Sequence, residues 1–137
     1  MIKVESLKEY KKILSKEDFE VLANKIFMIT KYLVLEYSGY KRWYFEKQLK
    51  NIGSIEREIL FVRNKEKLDE IIAVACLKKT TLEKKICTLY VVENFRSMGI
   101  GSALISESFK FLGTTTPLIT FADYKLKFFE PFIKKYN

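Results

Sequence analysis

Arg96-Ser97-Met98-Gly99-Ile100-Gly101-Ser102 is the stretch on which the reading of the whole chain turns. The apolar run Ile86-Cys87-Thr88-Leu89-Tyr90-Val91-Val92 leads into it, and the β-branched Val91 and Val92 suit an extended backbone. The helix-like run Ala103–Leu112 leads out. The order is strand, glycine turn, helix. Two glycines let the backbone turn tightly and approach a ligand with no side chain in the way. The amides at the helix start then face whatever sits in front of them, and an anion is the natural guest.

A dinucleotide fingerprint, Gly-x-Gly-x-x-Gly, needs a third glycine where this chain has Leu104. The Gly-Lys-Ser/Thr of a P-loop is absent as well. Arg-x-x-Gly-x-Gly at 96–101, entered from Leu89-Tyr90-Val91 and followed by Ser102-Ala103-Leu104, resembles the acetyl-CoA pyrophosphate loop of the GNAT N-acetyltransferases. A plain strand–helix turn without a ligand is the alternative. The resemblance is carried by motif and element order over Ile59–Phe129, and by element order alone over residues 1–58.

Working outward, Ile2 and Val4 alternate with polar residues and predict a short first strand. Ser6 with Glu9 reads as a capping box for a helix over Leu7–Leu14. Ser15 followed by Glu17 and Asp18 starts a second helix. Its apolar face is Phe19, Leu22, Ile26, Ile29, Leu33 and Tyr37, and Gly39 is its expected left-handed cap. A further helix is predicted over Lys41–Asn51. Strands follow at Ile59–Val62, Ile71–Leu77 and Ile86–Val92, then a helix at Ser102–Leu112 and a strand at Leu118–Phe121. Asp123 caps a closing helix, Tyr124–Tyr136, which Pro131 should interrupt. The first three of these strands form a meander, and the helix after them crosses over to make the last strand parallel.

The fold class is therefore α/β (α+β): by resemblance, a GNAT-like mixed sheet flanked by helices and shortened at the C-terminus. A GNAT domain normally continues into two more antiparallel strands, whereas this chain ends at Tyr136-Asn137. An exposed sheet edge would remain there, so either a homodimer through it or a distorted C-terminal end is expected. Residues 1–137 are read as a single acyl-CoA N-acyltransferase-like domain, long enough to bury roughly two-thirds of its unfolded surface.

Composition narrows the chemistry. The chain has no histidine, which excludes Ser-His-Asp and Cys-His catalysis and His-ligated metal, and no metal is expected. Cys76 and Cys87 do not make a disulfide framework, and Met1-Ile2-Lys3-Val4-Glu5 has no secretory core. Both point to free thiols in the cytoplasm. No apolar run approaches the ~18 residues of a membrane span. The net charge of +8 suits a polyanion, either coenzyme A or nucleic acid. Lys11-Lys12, Lys41-Arg42, Lys78-Lys79, Lys84-Lys85 and Lys134-Lys135 are scattered, which reads as solvated surface and not as a nucleic-acid stripe.

The resemblance implies acetyl transfer from acetyl-CoA, as co-substrate, to an amine acceptor of small-molecule or protein nature. It places the pyrophosphate on Arg96, Ser97, Met98, Gly99, Ile100, Gly101 and Ser102, and the pantetheine arm on the backbone of Leu89, Tyr90 and Val91. A backbone N–H there would also serve the oxyanion, and the resemblance puts Asp123 on the cofactor where the family often has Asn. A lysine amine with pKa ~10.4 is neutral only about once in 2,500 at pH 7, a cost of roughly 4–5 kcal/mol, against about 1 kcal/mol for an α-amine. Glu93 is the first candidate base, with Glu56 and Glu58 behind it and Glu83 as surface charge. The family's acid is a Tyr in a Phe-Tyr-Glu-like triplet, where this chain has Phe128-Phe129-Glu130, leaving Tyr124 as the candidate acid. A non-catalytic module that binds coenzyme A or a protein partner is the alternative. The aromatics Tyr37, Tyr40, Trp43, Tyr44 and Phe45 divide between core packing and the acceptor cleft.

Overall fold

The computed structural model describes residues 2–31, 33 and 37–119. Asp123, the closing helix over Tyr124–Tyr136, Phe129 and the expected C-terminal sheet edge lie outside them.

Ser6 acts as the sequence requires. Its Oγ accepts the Glu9 amide at 3.2 Å and caps helix α1, Leu7–Ile13. Ser15 does the same for helix α2, Lys16–Thr30, accepting the Asp18 amide at 3.1 Å. The first strand is displaced from expectation. Ile2 and Val4 are not paired but pack against one sheet face, while β1 is Glu5–Ser6. Helix α2 also stops at Thr30, short of the expected Tyr37. Thr30 is buried, its Oγ1 donates to the Phe27 carbonyl at 3.0 Å, and it receives the Tyr40 hydroxyl. Gly39 is left-handed, φ 81°, but it opens the next helix and does not close α2. That helix, α3, is Tyr40–Trp43 and continues as a π-helical turn over Tyr44–Leu49, in place of the single helix expected over Lys41–Asn51.

Strands β2, Arg57–Asn64, β3, Lys67–Lys79, and β4, Lys84–Val91, form an antiparallel meander. Each is longer than the apolar run that announced it. Helix α4, Ile100–Leu112, starts two residues before the predicted Ser102, and left-handed Gly113 caps it. It returns the chain to β5, Leu118–Ile119, parallel to β4 at Lys85↔Leu118 and Ile86↔Ile119. The sheet order is β1-β2-β3-β4-β5.

Both faces of the sheet are covered, which is why β2 and β3 read as continuous apolar runs. On one face Ile59, Phe61, Val74 and Cys76 pack with Leu7, Leu22, Ile26 and Tyr44 of the early helices. On the other, Leu60, Val62, Ala75 and Leu77 pack with Ile100, Leu104 and Leu112 of α4. Buried polar groups are paired: Tyr44 Oη donates to the Ala23 carbonyl at 2.9 Å, and Gln48 Nε2 to the carbonyls of Glu58 and Leu77. Cys76 and Cys87 are free thiols. Among the described residues no helix is long and apolar enough to cross a membrane.

Glu58 joins α1 to β2. Its carboxylate accepts Ser6 Oγ at 2.7 Å, the Lys8 amide at 3.1 Å and the Ile59 amide at 2.9 Å. Burial nevertheless pushes its pKa above the usual carboxylate range, against the pull of those donors. Because the folded value lies above the unfolded one, Glu58 contributes most below the ordinary range, and that contribution falls as pH rises through the folded value. Urea titrations should show a shallower decline across that window in Glu58→Gln. Ser6→Ala, which loses both the cap and one carboxylate donor, should cost about 1–2 kcal/mol.

Candidate active site

Strand β4 organises the site. Its pairing with β3 runs Cys76↔Thr88 and then Leu77↔Ile86, so Cys87 is an extra residue, a bulge. The bulge resets the alternation. Ile86, Leu89 and Val91 face α4, whereas Cys87 and Tyr90 pack on the aromatic side. The Val92 amide donates to the Ile72 carbonyl at 2.8 Å, and Tyr90 pairs with Val74. By the alternation of an antiparallel ladder, the main-chain groups of Leu89 and Val91 then point away from β3, to the side on which β5 lies.

Past Val91 the chain makes one 3₁₀ turn, Glu93–Phe95. The Phe95 amide donates to the Val92 carbonyl at 2.9 Å and the Arg96 amide to that of Glu93 at 3.2 Å. Two left-handed residues then follow, Ser97 at φ 64° and Gly99 at φ 85°. They turn the backbone into α4, whose first main-chain bond at this end runs from the Ala103 amide to the Gly99 carbonyl, 3.0 Å. Among the described residues, no main-chain acceptor is found for the amides of Ser97, Gly99, Ile100 and Gly101, while that of Met98 closes the turn over Arg96 and Ser97. Ser97, Met98 and Gly99 are exposed, Ser102 is half-buried in the first turn of α4, and no side chain plugs the turn at Gly99, where the nearest neighbour to an added Cβ is Ile2 Cδ1 at 3.6 Å. Four such donors at the positive end of a 13-residue helix suit an anion.

Arg96 turns back over the strand. Its Nε donates to the Val91 carbonyl at 2.8 Å, and its guanidinium lies 5.5 Å from the centre of the Tyr90 ring. This fixes the loop relative to β4 and places a cation beside the cradle.

A cleft of about 310 Å³ opens on the aromatic face of the same strand. Tyr37, Tyr40 and Trp43 wall one side, and Lys85, Cys87 and Thr88 form the floor. The Tyr40 and Trp43 rings are 5.6 Å apart, and the Tyr40 hydroxyl donates to Thr30 Oγ1 at 3.0 Å. Burial is the main cause that raises the Tyr40 phenol, so it stays protonated. Tyr44 and Phe45 belong to the core. Burial also pushes the Cys87 thiol up, against the pull of Lys85, Arg57 and Lys78.

The structure brings Leu89, Tyr90, Val91 and Arg96–Ser102 together at one end of β4. Glu93 is exposed at that same end. Glu58 lies at the opposite end of the sheet, level with Leu77 and Ile86, where it caps α1. Glu83 is held by Lys78 at 2.9 Å in the hairpin. Asp123 and Tyr124 lie outside the described residues. Sequence reasoning missed Lys85 and Thr88 as cleft residues. The β-branched, strand-like pattern was visible, but the bulge that turns Cys87 and Thr88 to one face has no mark in it.

The sequence profile described as the Acetyltransferase (GNAT) family matches residues 25–115. A search of curated protein sequences found no match. Solved structures share the fold. An aminoglycoside acetyltransferase from an uncultured soil metagenomic sample, in complex with sisomicin, superposes with a TM-score of 0.60 at 15% identity, covering 99% of this chain and 87% of the other. For the ribosomal-protein-alanine N-acetyltransferase of Brucella melitensis the values are 0.54, 12%, 96% and 90%. For glucosamine-6-phosphate N-acetyltransferase of Arabidopsis thaliana they are 0.53, 14%, 96% and 89%.

The two left-handed residues respond differently to substitution. Gly99→Ala forces an L side chain into that conformation and should cost about 1–2 kcal/mol of unfolding free energy. Ser97→Gly relieves the local strain while loosening the unfolded chain, so urea melts should show a change within about 0.5 kcal/mol.

Proposed function

The chain belongs to the GNAT acetyltransferase family, and from that premise we propose that it moves an acetyl group from acetyl-CoA to an amine acceptor by direct transfer. The observation that carries this reading is the set of amides at Ser97, Gly99, Ile100 and Gly101, at the start of α4, which have no main-chain acceptor among the described residues. They suit the coenzyme's pyrophosphate, with Arg96 supplying a fixed positive charge beside them. The main-chain edge of Leu89 and Val91 suits the pantetheine arm, as an added strand.

Thr88 stands three residues before Val91, about 10 Å along an extended strand. A pantetheine arm laid back from the cradle along β4 therefore brings the thioester to the Cys87–Thr88 floor of the cleft. There the acceptor amine attacks the carbonyl carbon. A β4 amide donates to the developing oxyanion, the C–N bond forms, and the C–S bond breaks to release the coenzyme thiolate. The thiolate, with an ordinary pKa near 8.5, leaves at modest cost without an acid. Burial keeps Cys87 as a thiol, a poor nucleophile, which favours direct attack over an acyl-cysteine. Glu93 sits at the phosphate end, so it takes the amine proton through water. Asp123 keeps the cofactor contact that the family resemblance implies, and Tyr124, five positions before Phe129, is the chain's own candidate acid.

Phe129, standing where the family often has Tyr, favours a second reading, a module that binds coenzyme A without turnover. Acetyl-CoA at a hundredfold excess over its dissociation constant should stabilise the chain by about 2.7 kcal/mol in a thermal-shift titration. Gly99→Glu, which strains the turn and sets a carboxylate against the phosphates, should abolish that shift while the variant stays folded by circular dichroism. An unchanged affinity in Gly99→Glu removes the loop from the site. Thiol release with an amine panel supports the transferase, and a shift with no release across the panel supports the non-catalytic module.

A further inference from the structure

The aromatic cleft carries information about its guest. Its wall is flat and apolar: Tyr37, Trp43 and the Tyr40 ring, whose hydroxyl is turned to Thr30. Its floor has small hydrogen-bonding groups at Cys87 and Thr88, where the thioester would arrive. Among the described lining residues the single charge is Lys85, and no carboxylate is present. Lys85 disfavours a polycation beside it. It suits a planar body that carries an anionic group.

Lys85 also bears on the protonation of the acceptor. It lies on the sheet face of Cys87 and Thr88, two residues before the bulge. A fixed ammonium beside the reacting amine disfavours the charged form of that amine. An α-amine then needs less help to be neutral than a lysine side chain does. That matches a site whose candidate base, Glu93, stands at the far end of the strand.

Resting on the transferase reading, we infer that the acceptor is an aromatic α-amino acid or a close analogue. Its carboxylate pairs with Lys85, its ring lies against Tyr37 and Trp43, and its α-amine reaches the Cys87–Thr88 floor. The amine nitrogen takes the acetyl carbonyl carbon, the thioester carbon–sulfur bond breaks, and the amine proton passes to water. Lys85 is on this view a specificity residue that touches the substrate.

Trp43 is the chain's single tryptophan and lines the cleft, so its emission reports occupancy without any need for turnover. The probes are L-phenylalanine, 2-phenylethylamine, which lacks the carboxylate, and sisomicin, a polyamine. Phenylalanine should change Trp43 emission saturably and bind about tenfold more tightly than 2-phenylethylamine, with sisomicin weaker still. Lys85→Glu should weaken phenylalanine by about tenfold and strengthen 2-phenylethylamine. Lys85→Met should level the two while the acetyl-CoA thermal shift is retained. In thiol release the same order should appear in kcat/KM.

Equal binding of phenylalanine and 2-phenylethylamine, preference for sisomicin, or indifference to Lys85→Glu overturns this assignment. If the acetyl-CoA shift persists in that case, the transferase reading stands and the acceptor class alone is refuted. If the unaltered chain shows no acetyl-CoA shift, the reading falls and the acceptor assignment falls with it.

Discussion

A helix cannot satisfy its own first amides, and here the turn that precedes the helix does not satisfy them either. Left-handed Ser97 and Gly99 swing the backbone so that the N–H groups of Ser97, Gly99, Ile100 and Gly101 have no main-chain acceptor among the described residues. The arrangement persists because both flanks are held. Arg96 anchors one side to the Val91 carbonyl, and Ile100 and Leu104 of α4 anchor the other in the core. The local arrangement is costly in isolation, and its natural complement is a multiply charged anion.

Strand β4 connects that cradle to the cleft. One of its faces packs α4, the other floors the aromatic cavity, and its end runs into the loop. The bulge at Cys87 is the device that joins these duties. Without the extra residue, Thr88 would share the face of Ile86 and the cleft would lose a hydroxyl from its floor. With it, Cys87 and Thr88 stand side by side, about 10 Å along the strand from Val91. Cofactor end and acceptor end are therefore set by one element, which gives the spacing little freedom.

The polar residues buried elsewhere serve the frame. Glu58, with three donors, fixes α1 on β2, and Gln48 ties the π-helical turn to β2 and β3. Gln48 thereby holds the π-helical turn that continues α3, the helix that carries Tyr40 and Trp43. Glu58 illustrates why a carboxylate near a strand is a weak clue to catalysis: it lies at the opposite end of the sheet from the cradle, and its surroundings ask it to cap a helix.

Local chemistry made part of this legible from the sequence alone. Ser6 and Ser15 capped the helices they announced, because a hydroxyl bonding an amide three residues on is decided within one turn. The glycine turn and the crossover to a parallel last strand were legible for the same reason, since φ preferences and apolar periods are properties of short segments. What depends on partners far along the chain was not. At the end of helix α2 Thr30 is bonded by Tyr40 from ten residues away, and Gly39 opens the helix that takes Tyr40 into the core. The bulge at Cys87, and with it the placing of Lys85 and Thr88 under the aromatic wall, is a matter of register between β3 and β4. Register is fixed only when two faces of a sheet are packed at once, and a linear pattern of apolar residues does not contain that condition.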